Sequence, residues 1–250
     1  MSNLLDMGDG VMFETTPNRS LNNNGNPLDD QRIFGEPRRS AMTGTAALLF
    51  LLSACEAPTA WPYAVEGEEG SFGDVARCLF GLAQTELRSD ILLSAGSFWL
   101  APDGLLEYAF YSGSFQCGLA EIAHIELMSP SEPEWWGNCS AVHNRYTGED
   151  DLSSTLSCDV SEWVNPRGGI TEWEKDSTDI VVPPGVGVPG YLLARSSVEA
   201  EWDVPDGDLD AVPEGRALYA FTDPQTSALT HVIDGVTGEI LFLGAAPWHP

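Results

Sequence analysis

Ala228-Leu229-Thr230-His231-Val232-Ile233, then Asp234-Gly235-Val236-Thr237-Gly238, then Glu239-Ile240-Leu241-Phe242-Leu243, is the stretch that decides the fold class. Two β-favouring runs flank a turn where glycine can take positive φ, so the stretch reads as a β-hairpin. The same period recurs upstream. Leu106, Tyr108 and Phe110 alternate with Glu107 and Ala109, as a half-buried strand does. Ser97–Leu100 and Leu105–Tyr111 flank the turn signal Ala101-Pro102-Asp103-Gly104. Ala120–Met128 alternates with Ala123, Ile125 and Leu127 on one face, and Tyr191–Val204 reads as a further strand. Gly137–Val164 is polar and holds two cysteines, so it reads as a disulfide-stapled loop with short strands.

One helix precedes these strands. Val75, Cys78, Leu79, Leu82, Ala83 and Leu87 recur at helical spacing, with Asp74 as N-cap. A strand through 77–83 is the alternative, since Gly81 weakens a helix by about 1 kcal/mol relative to Ala. Ile180–Gly190 is Pro/Gly-rich and reads as an irregular crossover or a boundary between subdomains. The expected class is α+β and β-rich: a single antiparallel-sheet domain over 74–250 with one or two helices.

Residues 1–37 are polar and rich in Asn, Asp, Gly and Pro, without periodicity, and read as a disordered leader or an over-long start. The arginine pair Arg38-Arg39 then precedes the apolar run Ala46-Ala47-Leu48-Leu49-Phe50-Leu51-Leu52. That run is too short for a membrane span, which needs about 20 residues. Residues 38–54 therefore read as a signal peptide, with charged, apolar and small-residue regions in order. The small residues lead into Cys55, and Leu52-Ser53-Ala54-Cys55 resembles the lipobox of bacterial lipoproteins. The resemblance implies a diacylglycerol group on the Cys55 sulfur, cleavage before Cys55 and acylation of the new amino terminus. It thus implies a membrane partner through the lipid anchor, and Glu56 in place of Asp leans towards the outer membrane. Residues 55–73, with Pro58, Pro62 and Glu66-Gly67-Glu68-Glu69-Gly70, read as the acylated cysteine and a flexible tether. Trp61 and Tyr63 there either meet the lipid interface or pack on the domain.

The whole chain carries 11 Lys+Arg against 38 Asp+Glu, a formal net charge of −27. That balance argues against nucleic acid, whose affinity comes from basic side chains on phosphates. It fits a self-repelling acidic surface or, more sharply, a cation or basic partner. A hydrophobic fraction of 43% and eight Trp argue for a folded body.

Besides Cys55 there are Cys78, Cys117, Cys139 and Cys158. An even set in an exported chain reads as two disulfides, with three connectivities. Cys78–Cys117 with Cys139–Cys158 is the pairing expected, nested and crossed sets being the alternatives. Asp206, Asp208 and Asp210 alternate and could reach one Ca²⁺, although Ala211 and Ala217 break the EF-hand pattern. No other cofactor is signalled. His124 and Glu126 share a strand face, but two ligands do not make a metal site, and there is no H-E-x-x-H, G-x-S-x-G or Walker-type motif. Trp135-Trp136 offers a candidate stacking platform, although strand neighbours point to opposite faces. The Asp234-x-x-Thr237-Gly238-Glu239 turn is similar to hairpins of periplasmic β-modules of the PepSY type, over under a tenth of the chain.

The expected function is a lipid-anchored, non-catalytic binding or structural module of the cell envelope, with an envelope protein or glycan as partner. The alternative is an envelope hydrolase using paired carboxylates. No catalytic residue stands out.

Overall fold

The computed structural model describes residues 58–107, 117–146, 153–161, 168–184, 188–202, 204 and 209–244; side chains at the outer ends of the second to fourth strands are not among them. The described residues all lie in the second of two units, Met1–Met42 and Thr43–Pro250. The leader, the signal segment and Cys55 lie outside the described residues.

The elements are α1 (Phe72–Glu86), β1 (Leu92–Leu100), β2 (Cys117–Met128), β3 (Trp136–Tyr146), β4 (Ser153–Val160), β5 (Val188–Ala194), α2 (Arg195–Glu201), β6 (Ala217–Thr222), β7 (Leu229–Asp234) and β8 (Ile240–Leu243). All eight strands form one sheet in the order β4-β3-β2-β1-β5-β6-β7-β8. Every neighbouring pair is antiparallel. Two sequential meanders thus meet at a seam between β1 and β5. The fold is the expected β-rich α+β class.

The first face of the sheet carries the main core. The helix α1 lays Val75, Leu79, Phe80 and Ala83 against β2, β3 and β4. Its N-cap is Ser71, not the expected Asp74: Ser71 has extended backbone and its Oγ accepts the Asp74 N–H at 3.2 Å. Asp74 sits in the first turn instead, and its carboxylate accepts the Gly70 N–H at 3.1 Å. A first-turn carboxylate complements the helix dipole, and this one also ties down the residue before the N-cap.

The rest of this face is covered by two extended segments. The expected tether is packed from Trp61 onwards: Tyr63 and Val65 are buried. The Tyr63 hydroxyl accepts the Leu93 N–H at 2.7 Å and donates to the Ile170 carbonyl at 3.2 Å. Burial pushes that phenol well above its ordinary range, against the opposing pull of the Leu93 bond. The second segment, 168–184, is the crossover from β4 at one edge to β5 in the middle. Ile170, Trp173 and Ile180 are buried along it, so it is a structural strap and no boundary between subdomains. Close approach of aromatic rings to the sheet needs glycine at Gly96, where a Cβ would meet the Phe72 ring at 2.4 Å.

Three further expectations are corrected. Gly137–Val164 contains two full strands, β3 and β4, because Cys139 and Ala141 supply a small apolar face beneath α1 while the opposite face is polar. Tyr191–Val204 changes from β5 to α2 at Arg195, where an Arg195–Glu199 pair at 2.7 Å spans one helical turn. Leu105 and Leu106 make only isolated bridges, to Ser71 and Leu100, and the remainder of that expected strand lies outside the described residues.

Cys139 and Cys158 face each other on β3 and β4 and are bonded, as expected. With a sequence separation of 19, the bridge contributes about 3 kcal/mol by restricting the unfolded chain. Cys78 is also disulfide-bonded, while the Cys117 side chain is outside the described set.

His231 on β7 gives a pH signature. Burial holds its pKa below the ordinary 6.5, and its Nδ1 has no hydrogen-bond partner among the described residues. The unfolded chain therefore takes up the proton first. Stability from this group is full above about pH 6.5 and falls as pH drops towards the folded pKa. His231→Gln should flatten that fall, measured as urea midpoints at several pH values between neutral and mildly acid. Parallel curves for both proteins would count against the assignment.

Candidate functional site

The second face of the sheet is divided. Over β5, β6 and β7 it is covered by α2 and the segment after it, through Val198, Leu209 and Val212 packed on Leu193, Leu218 and Val232. Over β2, β3 and β4 no described element packs on it. Ser157 and Asp159 are exposed there, and His124, Glu126, Asn138 and Ser140 are half-buried.

Strand register places these residues in rows. Tyr191, Ser97, His124, Ser140 and Ser157 lie side by side across β5, β1, β2, β3 and β4. Leu193, Ala95, Glu126, Asn138 and Asp159 form the next row. At about 4.8 Å between strands each row spans about 19 Å. The second row changes from apolar under α2 to polar beyond β1. Trp99 faces Pro189 across the seam and alternates with the buried Phe98 and Leu100, which puts it on this same face.

His124 Nδ1 lies 2.8 Å from Ser140 Oγ. This is within reach of a nucleophile–base pair. Yet Ser140 sits mid-strand, paired on both sides to β2 and β4. Its neighbouring backbone N–H groups are spent on the ladders, so they cannot serve as oxyanion donors of the kind acyl transfer uses. What the two rows together offer is an array of hydroxyl, imidazole, amide and carboxylate groups beside aromatic rings, a match for a hydroxyl-rich ligand.

Other candidates fall elsewhere. Trp136 is buried, and the Arg88 guanidinium lies 5.0 Å over the Trp135 ring, so intramolecular contacts occupy that pair. Arg88 also pairs with Asp90 and Glu132, at 2.6 and 2.7 Å. The Arg88 bond, then bonds from Ser131 and Ser129, hold the Asp90 carboxyl well below the usual range. Asp206 and Asp208 lie outside the described residues; Asp210 is exposed, 3.9 Å from Arg195. Among the described residues no three His, Cys, Asp or Glu gather as metal ligands.

One pair of carboxylates does meet. Asp176, buried on the strap, accepts N–H groups of Glu68 and Gly73 at 2.9 Å and of Ser177 at 2.7 Å. Asp74 next to it has its pKa raised, chiefly by burial and further by the charge of Asp176. These carboxylates hold the start of α1 to the strap.

No family model matches the chain, and no curated protein or solved structure matches it. Among the described residues no helix is long and apolar enough to cross a membrane. Sequence reasoning placed His124 and Glu126 on one face but missed Ser140, Trp99 and Tyr191. Alternation within Ser97–Leu100 was the available signal for Trp99; the partner of His124 needs the β2–β3 register.

Proposed function

We propose that this chain is a lipid-anchored, non-catalytic binding module of the cell envelope, and that the β2–β4 half of its second sheet face receives a glycan. The observation that carries the reading is the row Tyr191–Ser97–His124–Ser140–Ser157, polar beyond the seam and aromatic at its covered end. Such an array suits an extended ligand lying across the strands, with a sugar face on Trp99 and hydroxyls on the polar groups. The carboxylates of Asp74 and Asp176 are engaged with backbone donors around the helix start.

The test is co-sedimentation of the full chain with purified cell-wall polysaccharide. Wild type should pellet with the glycan. Ser157→Arg with Asp159→Arg, both at exposed positions, should weaken binding at least about tenfold, a change of about 1.4 kcal/mol. Undiminished binding by that double variant would remove the sheet face from the proposal. The anchor is tested separately. Lipid attachment needs a sulfur nucleophile, so Cys55→Ser should leave an unlabelled, larger precursor after metabolic labelling with a fatty acid. Equal label on both proteins would refute the anchor.

A further inference from the structure

The chain is fixed to the domain almost as far back as Cys55. Gln84, near the end of α1, holds it with both ends of its amide. Its Oε1 accepts the Thr59 hydroxyl at 3.1 Å and the Ala60 N–H at 3.4 Å, and its Nε2 donates to the Ala60 carbonyl at 3.0 Å. The next residue is packed as well. The Trp61 ring stands edge-on to Phe80 of α1 at 5.3 Å, and its Nε1 donates to the Val65 carbonyl at 3.0 Å. These contacts lie beside α1, on the first face of the sheet.

Cys55 is four residues before Thr59. Four residues fully extended span about 13–14 Å. A lipid on Cys55 therefore keeps the point where the chain meets α1 within about that distance of the headgroups. A flexible linker over the whole of 55–73 would let the domain turn freely above the membrane; so short a span does not. Helix and sheet together put the second face about 20 Å from the outer side of α1, more than the chain can reach round. The proximity is imposed by the anchor and needs no attraction for headgroups, in keeping with the net charge of −27.

We infer that the α1 side of the domain is its lipid-facing surface, held against the headgroups, and that the β2–β4 half of the second face is turned away from the bilayer. The inference rests on the lipid-anchor reading of Cys55 and deepens it, by naming the surface that meets the membrane. It also directs the proposed glycan face at the space beyond the membrane.

The experiment uses the full chain, matured in a lipoprotein-processing host and reconstituted in phosphatidylcholine vesicles that carry a rhodamine headgroup lipid as energy acceptor. Lys175→Arg removes the single lysine of the chain, and its residual labelling by an amine-reactive dye is the blank. That background then receives either Glu86→Lys, exposed at the end of α1, or Ser157→Lys, exposed on the second face. Asp159→Lys, also exposed there, replaces Ser157→Lys if that protein fails to fold. The two sites differ in height by about 20 Å, so energy transfer from position 86 should exceed that from 157 at least about twofold. Twelve Gly/Ser residues inserted after Ala57 add about 20 Å of flexible span and should remove the difference. Equal or reversed transfer without the insertion would overturn the inference, as would a difference that survives it. Lipid attachment is read separately, from the mass of the amino-terminal peptide. A peptide without lipid refutes the anchor, and the inference falls with it; a lipidated protein with equal transfer refutes the orientation alone.

Discussion

Trp173→Ala should lower the unfolding free energy by about 3–5 kcal/mol, the range for removing a fully buried large aromatic. Trp173 is 1% exposed, at the centre of the strap. Its ring meets Tyr63 at 5.8 Å, Phe72 at 5.9 Å and Trp61 at 6.0 Å, which come from the packed N-terminal segment and the first turn of α1. Its Nε1 donates to the Lys175 carbonyl at 2.7 Å and to the Tyr219 hydroxyl at 3.1 Å. Its own carbonyl accepts the N–H groups of Ala64 and Val65. Trp173→Phe keeps most of the packing and loses the indole donor, so it should cost only about 1–2 kcal/mol. Urea midpoints measure both. Near-equal loss for the two variants would mean that the hydrogen bonds, and not the ring, hold the strap.

Asp176→Ala should be comparably damaging, at about 3–5 kcal/mol, because the N–H groups of Glu68, Gly73 and Ser177 lose their acceptor and each buried orphan costs about 1–3 kcal/mol. Asp176→Asn keeps one acceptor oxygen and should recover part of the loss. It also removes a charge near Asp74, so the Asp74 pKa should fall from its raised value, though burial should still hold it up. Carboxyl titration followed by NMR reads that shift. An unchanged Asp74 titration in a folded Asp176→Asn protein would show that the two carboxylates are not coupled.

The fold was legible wherever one face of an element is wet. The β7–β8 hairpin and the Ala123, Ile125, Leu127 face of β2 follow directly from alternation, and Gly238 takes the positive φ of 77 that the turn required. Alternation disappears in β6, where Ala217 to Thr222 are buried without interruption because α2 covers one side and the strap the other. A run of six residues buried without a break, five of them apolar or aromatic, carries no period to read. β3 and β4 were obscured for the opposite reason: their buried side is made of Ala, Cys and Leu, too small a contrast with the polar side. The strap has no period either, since its order comes from Trp173, Asp176 and Ser177 bonding to other elements.

The candidate site was legible only along the chain. Residues two apart, such as His124 and Glu126, share a face by geometry alone. Ser140, Asn138, Ser157 and Asp159 join them only through register across β2, β3 and β4, which depends on the bulge between Glu121 and Ala123. The contact between Tyr191 and Trp202 depends on the change from β5 into α2 at Arg195, which alternation along Tyr191–Val204 does not reveal.

The seam between β1 and β5 has a kinetic consequence. Every other strand pairing joins neighbours in sequence, and such hairpins form in about 1–10 μs. The seam joins segments far apart in the chain, so it must wait for a large loop to close. Until then β1 and β5 each present a bare edge able to pair with another copy. The Cys139–Cys158 bridge lies wholly within the first meander and can close before that step. Substitutions that destabilise the early β7–β8 hairpin should therefore slow folding and leave the unfolding rate almost alone, while those at the seam, such as at Ser97 or Tyr191, should divide their effect between slower folding and faster unfolding.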